Sequence, residues 1–96
     1  MGRKEKSAYD RLELVKMNPE IDVFDLAEAL MRRKPLIVDF EDHRVIESNQ
    51  AIMFLSGVVY AIDGEVEVIR EKVFVFATKK DLKDKTLRKA LAKYKE

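Results

Sequence analysis

The sequence contains no cysteine, no tryptophan, a single histidine, two prolines and three glycines among its 96 residues. Without cysteine there is no disulfide framework and no thiolate zinc site. An intracellular address fits that absence. The lone His43 has no cysteine or second histidine to act with, so it reads as an exposed residue at a helix start rather than a catalytic base. Gly57 and Gly64 have neither P-loop nor dinucleotide spacing. No run approaches the roughly 20 consecutive apolar residues that a membrane span requires. The opening MGRKEK is basic but has no apolar stretch behind it, so neither a signal peptide nor a convincing acylation site is expected.

What is present is apolar residue (47%) and charge (39%) at a net charge of +1, which describes one small folded domain with no global pull toward nucleic acid or anionic lipid. The charge is unevenly placed. Residues 79–96 hold eight Lys or Arg against three Asp or Glu, a balance of +5, while the rest hold eleven against fifteen, a balance of −4. The chain divides into a flexible segment 1–10, a core domain 11–78 and a basic C-terminal helix 79–96.

Within the core, RLELVKM from Arg11 alternates as a strand does, and Asn18-Pro19 breaks the pattern. Asp22 is a good N-cap for a helix with Val23, Leu26, Ala27 and Leu30 on one face. Pro35 ends that helix, and Leu36 to Phe40 reads as a central strand. Asp42 can cap a long second helix on which Val45, Asn49, Ile52, Ser56 and Val59 share a face and Ile46, Met53 and Tyr60 a neighbouring one. That pattern predicts a helix covered over most of its surface. Gly57 within it costs up to about 1 kcal/mol against alanine, which a close backbone contact would explain. Gly64 reads as its left-handed stop.

Glu65 to Ile69 and Lys72 to Ala77 form a hairpin. In its second strand Val73, Val75 and Ala77 point to one face, Phe74 and Phe76 to the other, so both faces are apolar. A four-stranded sheet with two crossover helices covers only one face, and the expectation is that the other packs against a second copy. In the tail, Thr78 and Asp81 suggest a capping box, with Leu87, Ala90, Leu91 and Tyr94 as a narrow apolar stripe. The fold class is α/β, more closely an α+β two-layer sandwich: about four strands in a mixed sheet, two helices on one face, and a C-terminal helix.

No constellation here points to an enzyme. Asp39, Glu41 and Asp42 cluster at a strand–helix junction, where capping accounts for them more simply than a cation does. Ser56-Gly57 lacks the strand–turn–helix setting of a nucleophile elbow. No metal site or cofactor is expected. The basic tail could bind an anionic surface, but a solvated face on a docked helix is the favoured reading.

The stretch Ile52-Met53-Phe54-Leu55-Ser56-Gly57-Val58-Val59-Tyr60-Ala61-Ile62-Asp63-Gly64, followed by Lys72-Val73-Phe74-Val75-Phe76-Ala77-Thr78, resembles the core of the SepF family of cell-division proteins. Pro35-Leu36-Ile37-Val38-Asp39-Phe40 is similar to that family's second strand, and the likeness runs from about Asp22 to Thr78. It implies a non-enzymatic adaptor that forms homodimers, in some members higher oligomers, and binds the C-terminal peptide of the tubulin-like GTPase FtsZ. The adaptor would tether FtsZ filaments to the inner face of the cell membrane at the division site. Carried over residue by residue, the peptide site falls on Ser48 and Phe74, with Gln50 and Val68 as weaker neighbours, and the dimer interface on Val73, Val75 and Phe76.

The chain departs from the family pattern in three places. Met53 stands where an acid is usual and Gln50 where an arginine is common. Lys79-Lys80 replace a proline and lead into the basic helix, which looks archaeal. The family's N-terminal membrane-targeting helix is not evident in MGRKEKSAYD: either the sequence is a truncated piece, or the anchor lies elsewhere, with the tail helix the obvious candidate. The alternative reading is a small nucleic-acid-binding dimer acting through that tail.

Overall fold

The computed structural model describes residues 7–95. The readings made for the first six residues lie outside them. Element order is α1 (Ala8–Arg11), β1 (Glu13–Lys16), α2 (Val23–Met31), β2 (Leu36–Asp39), α3 (Val45–Ala61), β3 (Gly64–Arg70), β4 (Val73–Thr78), α4 (Lys79–Leu82) and α5 (Lys85–Tyr94). The strands form one mixed sheet in the order β1-β2-β4-β3, with β1 parallel to β2 and the other pairings antiparallel.

The two faces of the sheet bury different residues. Val15, Leu36, Val38, Phe74 and Phe76 face α2 and α3 and pack with Leu26, Leu30, Leu55 and Val59. Ile37, Val73, Val75 and Ala77 face the other way and pack with Ala8, Leu82, Leu87 and Leu91 from α1, α4 and α5. The apolar second face of β4 is therefore real, but the chain's own C-terminal helices cover it. Val73, Val75 and Phe76 are each 1% exposed or less. They are core residues here and offer no surface to another copy. α5 is the docked tail helix. Its Leu87–Ala90–Leu91 stripe makes it part of a three-layer core.

Local chemistry explains the ends. The Asp22 side chain accepts from the Phe24 N–H, as expected of an N-cap. Asp42 does not cap α3, whose N-cap is Arg44 with no side-chain bond; Asp42 pairs with Lys16 at 3.0 Å instead. Residues 7–11 form a capped helical turn, where a loose segment was expected. Ser7 and Asp10 make a reciprocal capping box, and Ala8 is fully buried. The tail is two helices, α4 capped by Thr78 and α5 by Asp84, where one was expected.

Gly64 is not the left-handed stop. Asp63 takes that conformation (φ 61) and Gly64 opens β3. Glycine is needed there for space: a Cβ would stand 2.4 Å from the Ala77 carbonyl oxygen and 2.6 Å from Val59 Cγ2.

Candidate functional site: a hollow beside α3 and an uncharged helix face

α3 has one buried line, Ser48, Ala51, Leu55 and Val59, which seats it on the sheet. The broader coverage expected from the sequence is absent: Val45, Ile46, Met53 and Tyr60 are exposed. From Ser48 to Ile62 the helix carries no charged side chain, so its outer face is polar only at Asn49, Gln50 and Ser56. Gly57 lies on this outer side, and a Cβ placed there would meet no atom within 4 Å. Nothing among the described residues uses the room that this glycine leaves.

At the N-terminal end of α3 the gap between helix and sheet opens into a hollow of about 130 Å³. Phe40 and Phe74 form its floor, their rings edge to face with centroids 5.8 Å apart. Ser48, Asn49 and Ile52 line the helix side, and His43 and Lys72 stand at the rim. Ser48 is only 7% exposed, and its Oγ is buried with no hydrogen-bond partner among the described residues. A buried hydroxyl left unpaired costs about 1–3 kcal/mol, so this atom is a local cost on the helix side of the hollow.

The structure thus brings Ser48 and Phe74 together. Val68 is Phe74's partner across the β3–β4 ladder and is 64% exposed, so it extends the same apolar surface along β3. Gln50 lies elsewhere. It lines a separate groove of about 690 Å³ on the other flank of α3, whose wall includes the edge-to-face pair Phe24–Phe54. Sequence reasoning missed the rim residues His43 and Lys72, because only the β2–β4 pairing brings the two loops together. Among the described residues no group of His, Asp or Glu could hold a metal ion, and no helix is long and apolar enough to cross a membrane.

Residues 14–80, which run from within β1 through β4 and take in the hollow, match the family described as Cell division protein SepF. The chain belongs to the SepF family. Among its relatives, Cell division protein SepF of Brevibacillus brevis is 40% identical over 68 residues, covering 68% of this chain and 46% of that protein. SepF of Ruminiclostridium cellulolyticum is 32% identical over 75 residues, covering 73% of this chain and 48% of the relative. SepF of Lactobacillus helveticus is 27% identical over 78 residues, with coverages of 81% and 54%. The chain spans about half the length of the curated relatives it matches. SepF is a family of cell division proteins, and the match takes in both the hollow and the uncharged face of α3.

Proposed function

We propose that this chain is a non-catalytic, homodimeric adaptor that receives the C-terminal peptide of FtsZ in the hollow between α3 and β4. It would work in the cytoplasm at the division site and link FtsZ filaments to the inner face of the membrane. The observation that carries the reading is the pairing of Phe74 with the unpartnered Ser48 hydroxyl in one open hollow. A peptide's apolar side chain fits a hollow of this size, and a small shift of the Ser48 rotamer would bring its hydroxyl to the peptide backbone. His43 and Lys72 at the rim favour an acidic neighbour.

The dimer contact we assign is the outer face of α3. Ile46, Met53, Gly57 and Tyr60 follow one another along it, uncharged and uncovered. Two copies meeting there bring no like charges together, and Gly57 lets the two helices approach closely. In the basic tail Arg88 is held by Glu67 at 2.8 Å and Lys79 by Asp63 at 3.5 Å, which withdraws two of its eight cations from a nucleic-acid partner.

The test is calorimetric titration of the FtsZ tail peptide into the protein and into Phe74→Ala. Binding that weakens about tenfold or more in the variant supports the site, a change equivalent to roughly 1.4 kcal/mol. Equal binding by both removes Phe74 from it, and no binding by either removes the assigned function.

A further inference from the structure

On the side of the sheet away from the Ser48–Phe74 hollow, an open groove of about 600 Å³ runs between β1 and α5. Tyr9, Leu14 and Tyr94 form its apolar walls, and Lys89 and Lys93 stand over it. Leu14 is 60% exposed and Tyr9 57%, so this apolar surface has little cover among the described residues.

A strand edge runs along the groove. Among the described residues β1 is the end strand of the sheet and pairs only with β2. Glu13 and Met17 donate their N–H groups to the carbonyls of Pro35 and Asp39 on the β2 side. The alternation of a parallel ladder then turns the peptide groups of Leu14 and Lys16 outward. Among the described residues only Asn18 reaches them, its Nδ2 donating to the Lys16 carbonyl at 3.4 Å. The N–H and carbonyl of Leu14 and the N–H of Lys16 are open. Such an edge is a template for another extended chain.

Charge selects the occupant. Neither Lys89 nor Lys93 forms an ion pair among the described residues. A second copy added antiparallel at this edge, about a two-fold axis normal to the sheet, would set its own Lys89 and Lys93 on the same side and oppose like charge with like. An acidic peptide meets the free backbone and the free lysines together.

We propose that the β1 edge and this groove bind an extended acidic peptide of a partner protein as a fifth strand. An apolar side chain would rest on Leu14 and Tyr94, and carboxylates on the same face of the peptide would reach Lys89 and Lys93. This site lies across the sheet from the hollow assigned to FtsZ and stands independently of that assignment.

Two capped heptapeptides test it, Thr-Leu-Thr-Glu-Thr-Glu-Thr and its counterpart with lysine in place of glutamate. Binding is read by fluorescence anisotropy and by exchange of the Leu14 and Lys16 amide hydrogens. The acidic peptide is expected to bind, to slow exchange at both amides, and to outbind the basic one. Lys16→Pro deletes an outward donor while sparing the β1–β2 bonds, since proline is tolerated on an edge; binding should fall about tenfold or more. The doubly substituted Lys89→Glu, Lys93→Glu protein should prefer the basic peptide. Equal affinity for the two peptides, unchanged binding by Lys16→Pro, or no binding of either at millimolar concentration would each overturn the proposal. Amide protection that rises with protein concentration when no peptide is added would overturn it too, by giving the edge to a second copy.

Discussion

Arg11 and Asp81 stand 70 positions apart in the chain and meet in a two-point ion pair, Nη2 to Oδ1 at 2.6 Å and Nη1 to Oδ2 at 3.0 Å. Asp81 is buried, and the same guanidinium also donates to the Arg33 carbonyl. One side chain thereby ties the N-terminal turn, the α2–β2 loop and α4 together. The contact closes the second face of the sheet, because α4 and α5 carry the residues that cover Val73 and Val75.

Asp81→Ala leaves the guanidinium without its carboxylate in a half-buried place. The expected loss is roughly 3 kcal/mol of unfolding free energy, in line with removal of one partner from a buried pair. Urea unfolding measures it. A loss below about 1 kcal/mol, the worth of a surface pair, would show that the clasp holds little.

Ser48→Ala should move stability and binding in opposite directions. The substitution removes an unpaired buried hydroxyl and raises helix propensity, so the free protein gains about 0.5–1 kcal/mol. Affinity for the FtsZ tail peptide should fall, because the peptide loses its partner at the hollow. A variant that is destabilised, or that binds as the parent does, would show that the hydroxyl already has a use inside the fold.

The two internal glycines should respond differently. Gly64→Ala drives a Cβ into the Ala77 and Val59 backbone oxygens and should destabilise by about 3 kcal/mol, the upper end for overpacking. Gly57→Ala meets no atom of its own chain, so within one chain it gains up to about 1 kcal/mol of helix propensity. Met53→Glu puts a charge on the same uncharged face. It should shift the protein to monomer in sedimentation while leaving the circular dichroism spectrum unchanged. A dimer that survives Met53→Glu lies on another surface.

Asp84 caps α5 and also accepts from the Ala8 N–H, and the Thr86 hydroxyl and amide bonds hold its carboxyl below its ordinary value of 3.8. A carboxyl depressed in the folded state contributes stability above its unfolded pKa and loses it as pH falls through the folded one. The contact between the N-terminal turn and α5 should therefore loosen only in acid, below about pH 4. Amide exchange at Ala8 and Tyr9, followed across pH 2–6 (roughly the carboxylate range), tests this. Asp84→Asn should abolish that acid-induced change.

The elements whose bounds depend on neighbours in the chain were legible from residue order. Asp22 before Val23 and the alternation through β4 mark local geometry, and the structure agrees with both; α2, expected to run up to Pro35, stops at Met31, where Arg33 turns left-handed (φ 62). The apolar character of both faces of β4 was legible too, but its cover was not. A stripe at Leu87 and Leu91 states that α5 buries one side; it does not state against what. The same gap misplaced the uncovered surface. Ile46, Met53 and Tyr60 sit at core-like spacing, yet the sheet is wide enough to receive only the Ser48–Val59 line of α3.

Sequence by itself determined the order of the strands and main helices, since these rest on residue types and short-range periodicity; Ser48 and Phe74 entered as candidates only through the resemblance to the SepF family. Tertiary structure decided which apolar face is filled from within and which is left over. It also placed Gln50 away from the hollow and Lys72 at its rim. Those outcomes depend on contacts such as Arg11 with Asp81, whose closure is set by packing across the whole sheet rather than by any local pattern.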